Sequence, residues 1–203
     1  RENFEESLEE LKRKGAEVEK VDMPLLSADY AVPAYYIMAM SETSTNLARF
    51  AGMRYGMEKD PEDFDDFNEY FSTIRSKGFG EEAKRRILLG TYTRKAGYRD
   101  QYYIKAAEVR QKIIDQFKEA FEEYDVLVSP SMPNIAPKIE EAEDMAPEEV
   151  YAMDTLTVGP NLAGVPMISV PNGESEGMPT GLHIIGDHFE EKKVLDVAYT
   201  FQK

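Results

Sequence analysis

The sequence predicts an α/β fold in which helices flank a β-sheet, and three observations lead to it. Helical periodicity recurs along the chain and is clearest over 98–124, where apolar residues return every three or four positions. Short apolar runs at 125–129, 167–170 and 181–185 have the length and composition of buried strands. Because helices and strands alternate, they belong to one α/β arrangement rather than to separate all-α and all-β parts.

The first 50 residues predict a helix, a strand and a longer helix. Residues 2–14 have one apolar face, and Gly15 is placed to end that helix. Residues 16–21 alternate apolar and polar side chains, which predicts a half-buried strand. Helical patterning over 27–50 predicts a long helix that Pro33 either opens or kinks.

The remaining elements follow in order along the chain. An acidic, proline-broken loop is expected at 58–66, and a long irregular segment at 130–147. The run at 125–129 is expected to join a parallel or mixed sheet, and a glycine-rich turn links the last two strands. Further helices are predicted over 67–76, from Gly80 to about Lys95, over 98–124, and over 190–202.

Composition limits the classes of protein to consider. With 203 residues, one domain is the default expectation. The formal charge of −15 disfavours direct nucleic-acid binding, so any contact with a nucleic acid is expected to run through a partner protein. No apolar run approaches the roughly 20 residues of a membrane span. The absence of cysteine excludes thiolate chemistry and fits a reducing cytoplasm, which is the expected location.

Metal binding is not expected in this chain. The two histidines, His183 and His188, lack a third convergent ligand, and no Gly-x-Ser-x-Gly elbow precedes either one. A strand histidine and a loop histidine are the simpler interpretation. Phosphate-binding, dinucleotide-binding and calcium-binding motifs are missing as well.

Two polar features have both a structural and a functional interpretation. Residues 41–46 (SETSTN) place short polar side chains inside a helix, where they either support a close helix–helix contact or line a site. Arg86 follows Glu82 by four residues, so it either forms a surface ion pair or holds a ligand carboxylate in bidentate geometry.

Several strings together resemble the amidase-signature family and, within it, the A subunits of glutamyl-tRNA(Gln)/aspartyl-tRNA(Asn) amidotransferases. In chain order, the strings are 41–56 (SETSTNLARFAGMRYG), 78–87 (GFGEEAKRRI), 97–103 (GYRDQYY), 129–133 (SPSMP), 161–166 (NLAGVP) and 181–186 (GLHIIG). The string at 161–166 is typical of amidases in general, whereas those at 41–56 and 78–87 are more typical of the A subunits. Together the six strings extend over the whole chain.

This resemblance implies the C-terminal part of the amidase-signature fold, with a mixed β-sheet flanked by helices. Residues 1–203 are then one partial domain, whose N-terminal catalytic half lies outside it. The resemblance to the A subunits implies that a Ser–cis-Ser–Lys triad hydrolyses glutamine and that the ammonia passes to a partner that holds the activated aminoacyl-tRNA. Nothing here matches the signature that carries the triad. No catalytic residue is therefore assigned, and the chain alone is expected to be inactive.

The resemblance also implies a glutamine pocket formed by Tyr35, Arg86 and Asp154. Arg86 would bind the α-carboxylate, Asp154 the α-ammonium, and Tyr35 would pack against the aliphatic part and form one hydrogen bond. Without the resemblance, Tyr35 is an ordinary core residue and Asp154 a loop residue or helix cap. Two departures from the A-subunit pattern are His183, in place of glutamine, and the pair Gly159-Pro160.

The implied partners are glutamine and the B and C subunits of the amidotransferase, with no membrane. No cofactor is expected in this chain, since ATP and Mg²⁺ would be bound by one of those partners. Two alternatives remain open: the C-terminal half of another amidase-signature hydrolase acting on small carboxamides, and a stand-alone interaction module.

Overall fold

The computed structural model describes residues 1–203, which divide into two compact units. We call residues 1–35 with 108–203 the sheet unit, and residues 36–107 the helical unit. The chain passes from one unit to the other within a helix each time. No helix combines the length and the apolar composition that a membrane crossing requires.

The secondary structure has nine α-helices and three strands, with three short 3₁₀ helices among them. The strands are β1 (Leu127–Pro130), β2 (Met167–Ser175) and β3 (Met178–Ile185). A π-helical turn, Asp100–Ile104, precedes the fifth helix. The helices are α1 (Glu2–Arg13), α2 (Ala31–Asn46), α3 (Phe67–Gly78), α4 (Glu81–Thr93), α5 (Lys105–Glu123), α6 (Ile139–Asp144), α7 (Pro147–Ala152), α8 (Thr155–Ala163) and α9 (Glu191–Gln202).

The sheet has the order β1-β3-β2, and both pairings are antiparallel. β2 and β3 form a hairpin whose two-residue turn, Glu176 and Gly177, has positive φ at both positions (52° and 76°). This is the geometry of a type I′ turn, which matches the twist of the flanking strands. The α/β class is confirmed. The parallel or mixed pairing expected for the first strand is wrong within these residues, because β1 pairs only with the antiparallel strand β3.

One face of the sheet carries the main hydrophobic core. Helices α1 and α9 pack on this face, and buried side chains from β2 and β3 meet them there. Side chains of a strand alternate between its two faces, and Leu182 and Ile184 of β3 belong to this core. The buried core residues are Leu11, Val170, Leu182, Ile184, Val194 and Ala198.

The helical unit is held together by a close contact between α2 and α4. A Cβ atom at Gly90 would lie 1.9 Å from the backbone oxygen of Met40, so only glycine fits between the helices. The Ser41 hydroxyl lies 2.9 Å from that of Thr93, and the Arg94 guanidinium donates to Ser44 Oγ at 2.9 Å. For Ser41 and Ser44, the helix–helix interpretation of the polar run is therefore confirmed.

Three sequence expectations need correction. Residues 16–21 form no strand, although Val18 packs against the core. The segment 130–147 is not irregular throughout, because it includes α6 and the start of α7. Helix α8 was not anticipated, since Gly159 and Pro160 lie inside it.

Candidate functional site

Arg86 lies on the second turn of α4, where the i,i+4 ion pair expected from the sequence forms. Its Nε donates to Glu82 Oε1 at 2.7 Å, and its guanidinium carbon lies 5.9 Å from the centre of the Tyr36 ring. The Arg86 side chain retains 36% of its exposure. The carboxylate of Glu82 also accepts from Arg85 through its other oxygen, so one carboxylate orients two neighbouring guanidinium groups.

Tyr36 is a residue that the sequence reasoning missed. It is buried, and it offers the face of its ring to the Arg86 guanidinium, a cation–π arrangement. The aromatic pair Tyr35-Tyr36 was the available signal, but only the first tyrosine was assigned a role. Tyr35 itself is half-buried in the first half of α2.

Asp154 occupies the N-cap position of α8 and is half-buried. Its side chain makes no capping hydrogen bond to that helix, so the helix-cap interpretation is not supported. Its backbone oxygen accepts the first intrahelical bonds, from the N–H groups of Thr157 and Val158. Tyr35 and Asp154 belong to the sheet unit and Arg86 to the helical unit. Their joint role as a glutamine pocket remains a prediction.

The end of α8, and with it the amidase string at 161–166, is fixed by side chains from elsewhere in the sheet unit. Arg110 Nε donates to the carbonyl oxygen of Leu162 at 2.8 Å, and His188 Nε2 lies 3.0 Å from that of Ala163. Gly164 then ends the helix in a left-handed conformation, with φ of 75°. Arg110 and His188 therefore hold this string in place through contacts with backbone carbonyl oxygens.

The second face of the sheet is polar where the strands align. His183 on β3 pairs in register with Ser129 on β1 and Ser169 on β2, so these three side chains share the face opposite Ile184. His183 is 3% exposed, and its Nδ1 is buried without a hydrogen-bond partner. Burial lowers the pKa of the imidazole, which favours the neutral ring.

A serine pair follows on the same face. The hydroxyl oxygens of Ser131 and Ser169 lie 2.5 Å apart, and a Cβ atom at Gly181 would lie 2.6 Å from each of them. Within residues 1–203, no lysine or histidine is hydrogen-bonded to either hydroxyl. The expectation that no catalytic residue lies in this chain is not tested by this arrangement.

Acidic side chains line one surface depression of the sheet unit. No group of three or more His, Cys, Asp or Glu side chains could hold a metal ion. A depression of about 670 Å³ runs along α1, and three glutamates line it, but none of the predicted pocket residues does.

Comparison with known proteins identifies related chains. A family model described as Amidase matches residues 1–195. The chain is 46% identical over 203 residues to the A subunit of the glutamyl-tRNA(Gln) amidotransferase of Caldanaerobacter subterraneus subsp. tengcongensis, covering 100% of this chain and 41% of that protein. It is 50% identical over 193 residues to the protein of that name from Archaeoglobus fulgidus, covering 95% of this chain and 41% of the relative.

Solved structures share the fold. The A subunit of the glutamyl-tRNA(Gln) amidotransferase from Thermotoga maritima matches with a TM-score of 0.68 and 38% identity, over 100% of this chain and 38% of that one. An amidase structure matches with a TM-score of 0.71 and 25% identity, over 99% of this chain and 41% of that one. The chain thus spans about two fifths of the length of the relatives it matches.

Proposed function

The chain belongs to the amidase family, and from this premise we propose that residues 1–203 form the glutamine-binding part of the A subunit of a glutamyl-tRNA(Gln) amidotransferase. The observation that carries the proposal is identity of 46% and 50% to proteins of that name over at least 95% of this chain. An amidase structure with a similar TM-score shares only 25% identity with this chain. The fold alone therefore does not distinguish an amidotransferase A subunit from another amidase.

In this proposal the A subunit hydrolyses glutamine and supplies ammonia to amidate Glu-tRNA(Gln), or Asp-tRNA(Asn). Arg86 binds the α-carboxylate of glutamine, Asp154 its α-ammonium, and Tyr35 contacts the side chain. The contacts of Arg86 support its role, because Glu82 and the Tyr36 ring fix the guanidinium before a ligand arrives. The reacting serines and lysine lie outside these residues, so residues 1–203 alone bind glutamine weakly and hydrolyse nothing.

The partners in this proposal are the B and C subunits. They bind the tRNA, the ATP and the Mg²⁺, and the complex is cytoplasmic. The strongly acidic composition of this chain supports an indirect connection to tRNA, since a net charge of −15 repels a phosphate backbone.

The test uses two neighbouring arginines in the full-length protein. Arg86→Ala should raise KM for glutamine on the order of 10- to 100-fold, the effect of losing a charged hydrogen bond. Arg85→Ala is the matched control, because Arg85 lies beside it on α4 and pairs with the same Glu82 carboxylate. Its effect on KM should be at most about fivefold.

A neutral carboxamide without an α-carboxylate serves as the second substrate. If Arg86→Ala impairs hydrolysis of this amide as much as hydrolysis of glutamine, Arg86 does not recognise the α-carboxylate. If the wild-type protein hydrolyses the neutral amide and ignores glutamine, the protein is an amidase of small carboxamides instead. Asp154→Asn provides an independent measurement, because it should weaken only substrates that carry the α-ammonium group.

A further inference from the structure

Arg86 lies one helical turn before the point where α4 crosses α2. Gly90 follows Arg86 by four residues, so the two share one face of α4. This face meets α2 at two levels that are also four residues apart. The Arg86 guanidinium lies over the ring of Tyr36, and Gly90 lies against the backbone of Met40. The contacts therefore advance in the same direction along both helices, and the arginine is part of the row that holds them together.

Gly90 sets how closely the two helices approach. A Cβ atom at this position would lie 1.9 Å from the carbonyl oxygen of Met40 and 2.9 Å from the backbone nitrogen of Ser41. Both neighbours are backbone atoms, which cannot rotate away as a side chain would. The separation of α2 and α4 is therefore fixed by backbone contact, one turn from Arg86.

A buried hydroxyl pair sets how far α4 can slide along α2. Ser41 Oγ and Thr93 Oγ1 lie 2.9 Å apart, and both residues are buried within this chain. Each hydroxyl also has an acceptor in its own helix, the carbonyl oxygen of Ile37 for Ser41 and that of Gly90 for Thr93. A hydroxyl has one proton, so whichever residue donates across the helices, one interhelical hydrogen bond forms. A slide by one residue, about 1.5 Å, would break it.

A third contact closes the row. Arg94, directly after α4, donates through Nη2 to Ser44 Oγ at 2.9 Å and through Nε to the carbonyl oxygen of Gly90 at 3.3 Å. Ser44 is buried, as Ser41 is. The register between α2 and α4 is thus fixed at successive turns by groups within this chain.

We infer that Gly90 and Thr93 are positioning residues that set the register of Arg86 and thereby select amides with an α-carboxylate over neutral carboxamides. The inference rests on the proposed function, in which Arg86 binds the α-carboxylate of glutamine. A bidentate guanidinium–carboxylate contact depends on direction as well as charge. A displacement of about 1 Å by a residue outside the contact can cost on the order of 100-fold in rate.

The contacts of Arg86 explain why it depends on this register. Its Nε is bound to Glu82, which belongs to the same helix and moves with it. The Tyr36 ring belongs to α2 and does not. A shift of α4 relative to α2 would therefore carry the guanidinium away from the ring that orients it. A neutral carboxamide makes no use of this guanidinium, so its hydrolysis should not depend on the register.

The first experiment compares hydrolysis of glutamine and of a neutral carboxamide by the full-length protein. Thr93→Val removes the hydroxyl and keeps the shape, and it should raise KM for glutamine about three- to tenfold with little change in kcat. Its kcat/KM for the neutral amide should change by less than about twofold. Thr93→Ser restores a hydroxyl and should recover most of the wild-type KM.

Thr91→Val is the matched control on the same helix. The Thr91 hydroxyl donates to the carbonyl oxygen of Ile87, within α4 rather than across to α2. Its loss should change KM for glutamine by less than about twofold. If Thr91→Val raises KM as much as Thr93→Val, or if Thr93→Val impairs both substrates equally, the interhelical hydrogen bond does not act on α-carboxylate recognition and the inference is wrong.

A double-mutant cycle tests whether Gly90 acts through Arg86. Gly90→Ala should raise KM for glutamine about tenfold or more, because it forces the helices apart. In the Arg86→Ala background the same change should alter KM by less than about twofold, since the guanidinium is already absent. Additive increases would mean that Gly90 affects glutamine by another route and would overturn the inference. Should Gly90→Ala not fold, the Thr93 variants decide the question.

The result for Arg86→Ala separates this inference from the proposed function. If Arg86→Ala raises KM for glutamine while Thr93→Val and Gly90→Ala leave it unchanged, the register does not position Arg86, and the proposed function stands. If Arg86→Ala itself leaves KM unchanged, the proposed role of Arg86 fails and this inference fails with it.

Discussion

The two units of this chain are stabilised in opposite ways. The sheet unit buries large aliphatic side chains between α1, α9 and one face of the sheet, with Ile184 at the centre. The helical unit brings α2 and α4 so close that a glycine, Gly90, is required at the crossing, and hydroxyl groups bridge the helices. The first arrangement is therefore sensitive to lost volume, and the second to added volume.

The units also differ in charge. The sheet unit has 28 acidic and 12 basic residues, whereas the helical unit has 11 acidic and 12 basic residues. The sheet unit therefore has a net charge of −16 (12 − 28) and the helical unit one of +1 (12 − 11), which sum to the −15 of the whole chain. The whole-chain charge thus describes the sheet unit and not the helical unit.

The largest loss of stability should come from Ile184→Ala in the core of the sheet unit. This change removes fully buried volume from the core, and we expect a loss of about 3 to 4 kcal/mol in the free energy of unfolding. Hydrogen exchange should show reduced protection in β2 and β3. Leu195→Ala on the exposed side of α9 is the control and should cost far less. Equal losses for both variants would mean that this core does not stabilise the sheet unit.

The next effect should come from Gly90→Ala, where a single methyl group forces α2 and α4 apart. We expect a loss of about 2 to 3 kcal/mol, with reduced hydrogen-exchange protection in α4. Gly80→Ala, at the start of the same helix in open space, should cost about 1 kcal/mol or less. If Gly90→Ala left the free energy of unfolding unchanged, the helices could separate without cost. The close crossing of α2 and α4 would then not be what stabilises the helical unit.

A smaller effect should appear in how the stability of the sheet unit depends on pH. Burial lowers the pKa of His183 below the value of about 6.5 in the unfolded chain. The folded state therefore binds fewer protons, so stability is full above pH of about 6.5 and falls as the pH drops below it. His183→Gln should flatten this acid limb in urea unfolding. An identical acid limb in His183→Gln would show that His183 is not the titrating group.

The smallest effect should be that of salt concentration on the stability of the two units. Raising the ionic strength screens repulsion among the carboxylates of the sheet unit, so its amides should gain protection equivalent to about 1 kcal/mol or less. The nearly neutral helical unit should gain less. Equal gains in both units would mean that the difference in net charge has no energetic consequence.

Much of this fold could be predicted from local patterns. The helices α1 and α9 and the β2–β3 hairpin follow from apolar periodicity and from the glycines that end or reverse the chain. The strand expected at 16–21 is wrong because alternation indicates only half-burial, while a strand also needs a neighbour to pair with. Helix α8 was missed because glycine and proline oppose helix formation locally, and packing in the sheet unit overrides that preference.

The candidate site was less accessible from the sequence. The pair of Arg86 with Glu82 follows from i,i+4 spacing, but the position of Tyr36 next to the guanidinium depends on how α2 packs against α4. The clustering of the Tyr92, Tyr98 and Tyr102 rings could not be predicted from the sequence. The spacing from Tyr92 to Tyr98 and Tyr102 matches no helical repeat, and only the turn at Gly97 and the π-helical turn bring the rings together.

The π-helical turn has a consequence for how the protein can vary in length. A π-helix accommodates one residue more than an α-helix between the same two ends, so deleting one residue from Asp100–Ile104 would restore a regular helix. That deletion would leave the segments on either side in place and shift the side chains within the turn, so Tyr102 would leave its contact with Tyr98. Homologues that retain all three tyrosines but are one residue shorter here would therefore lack the cluster, and the register of the chain is as diagnostic as its composition.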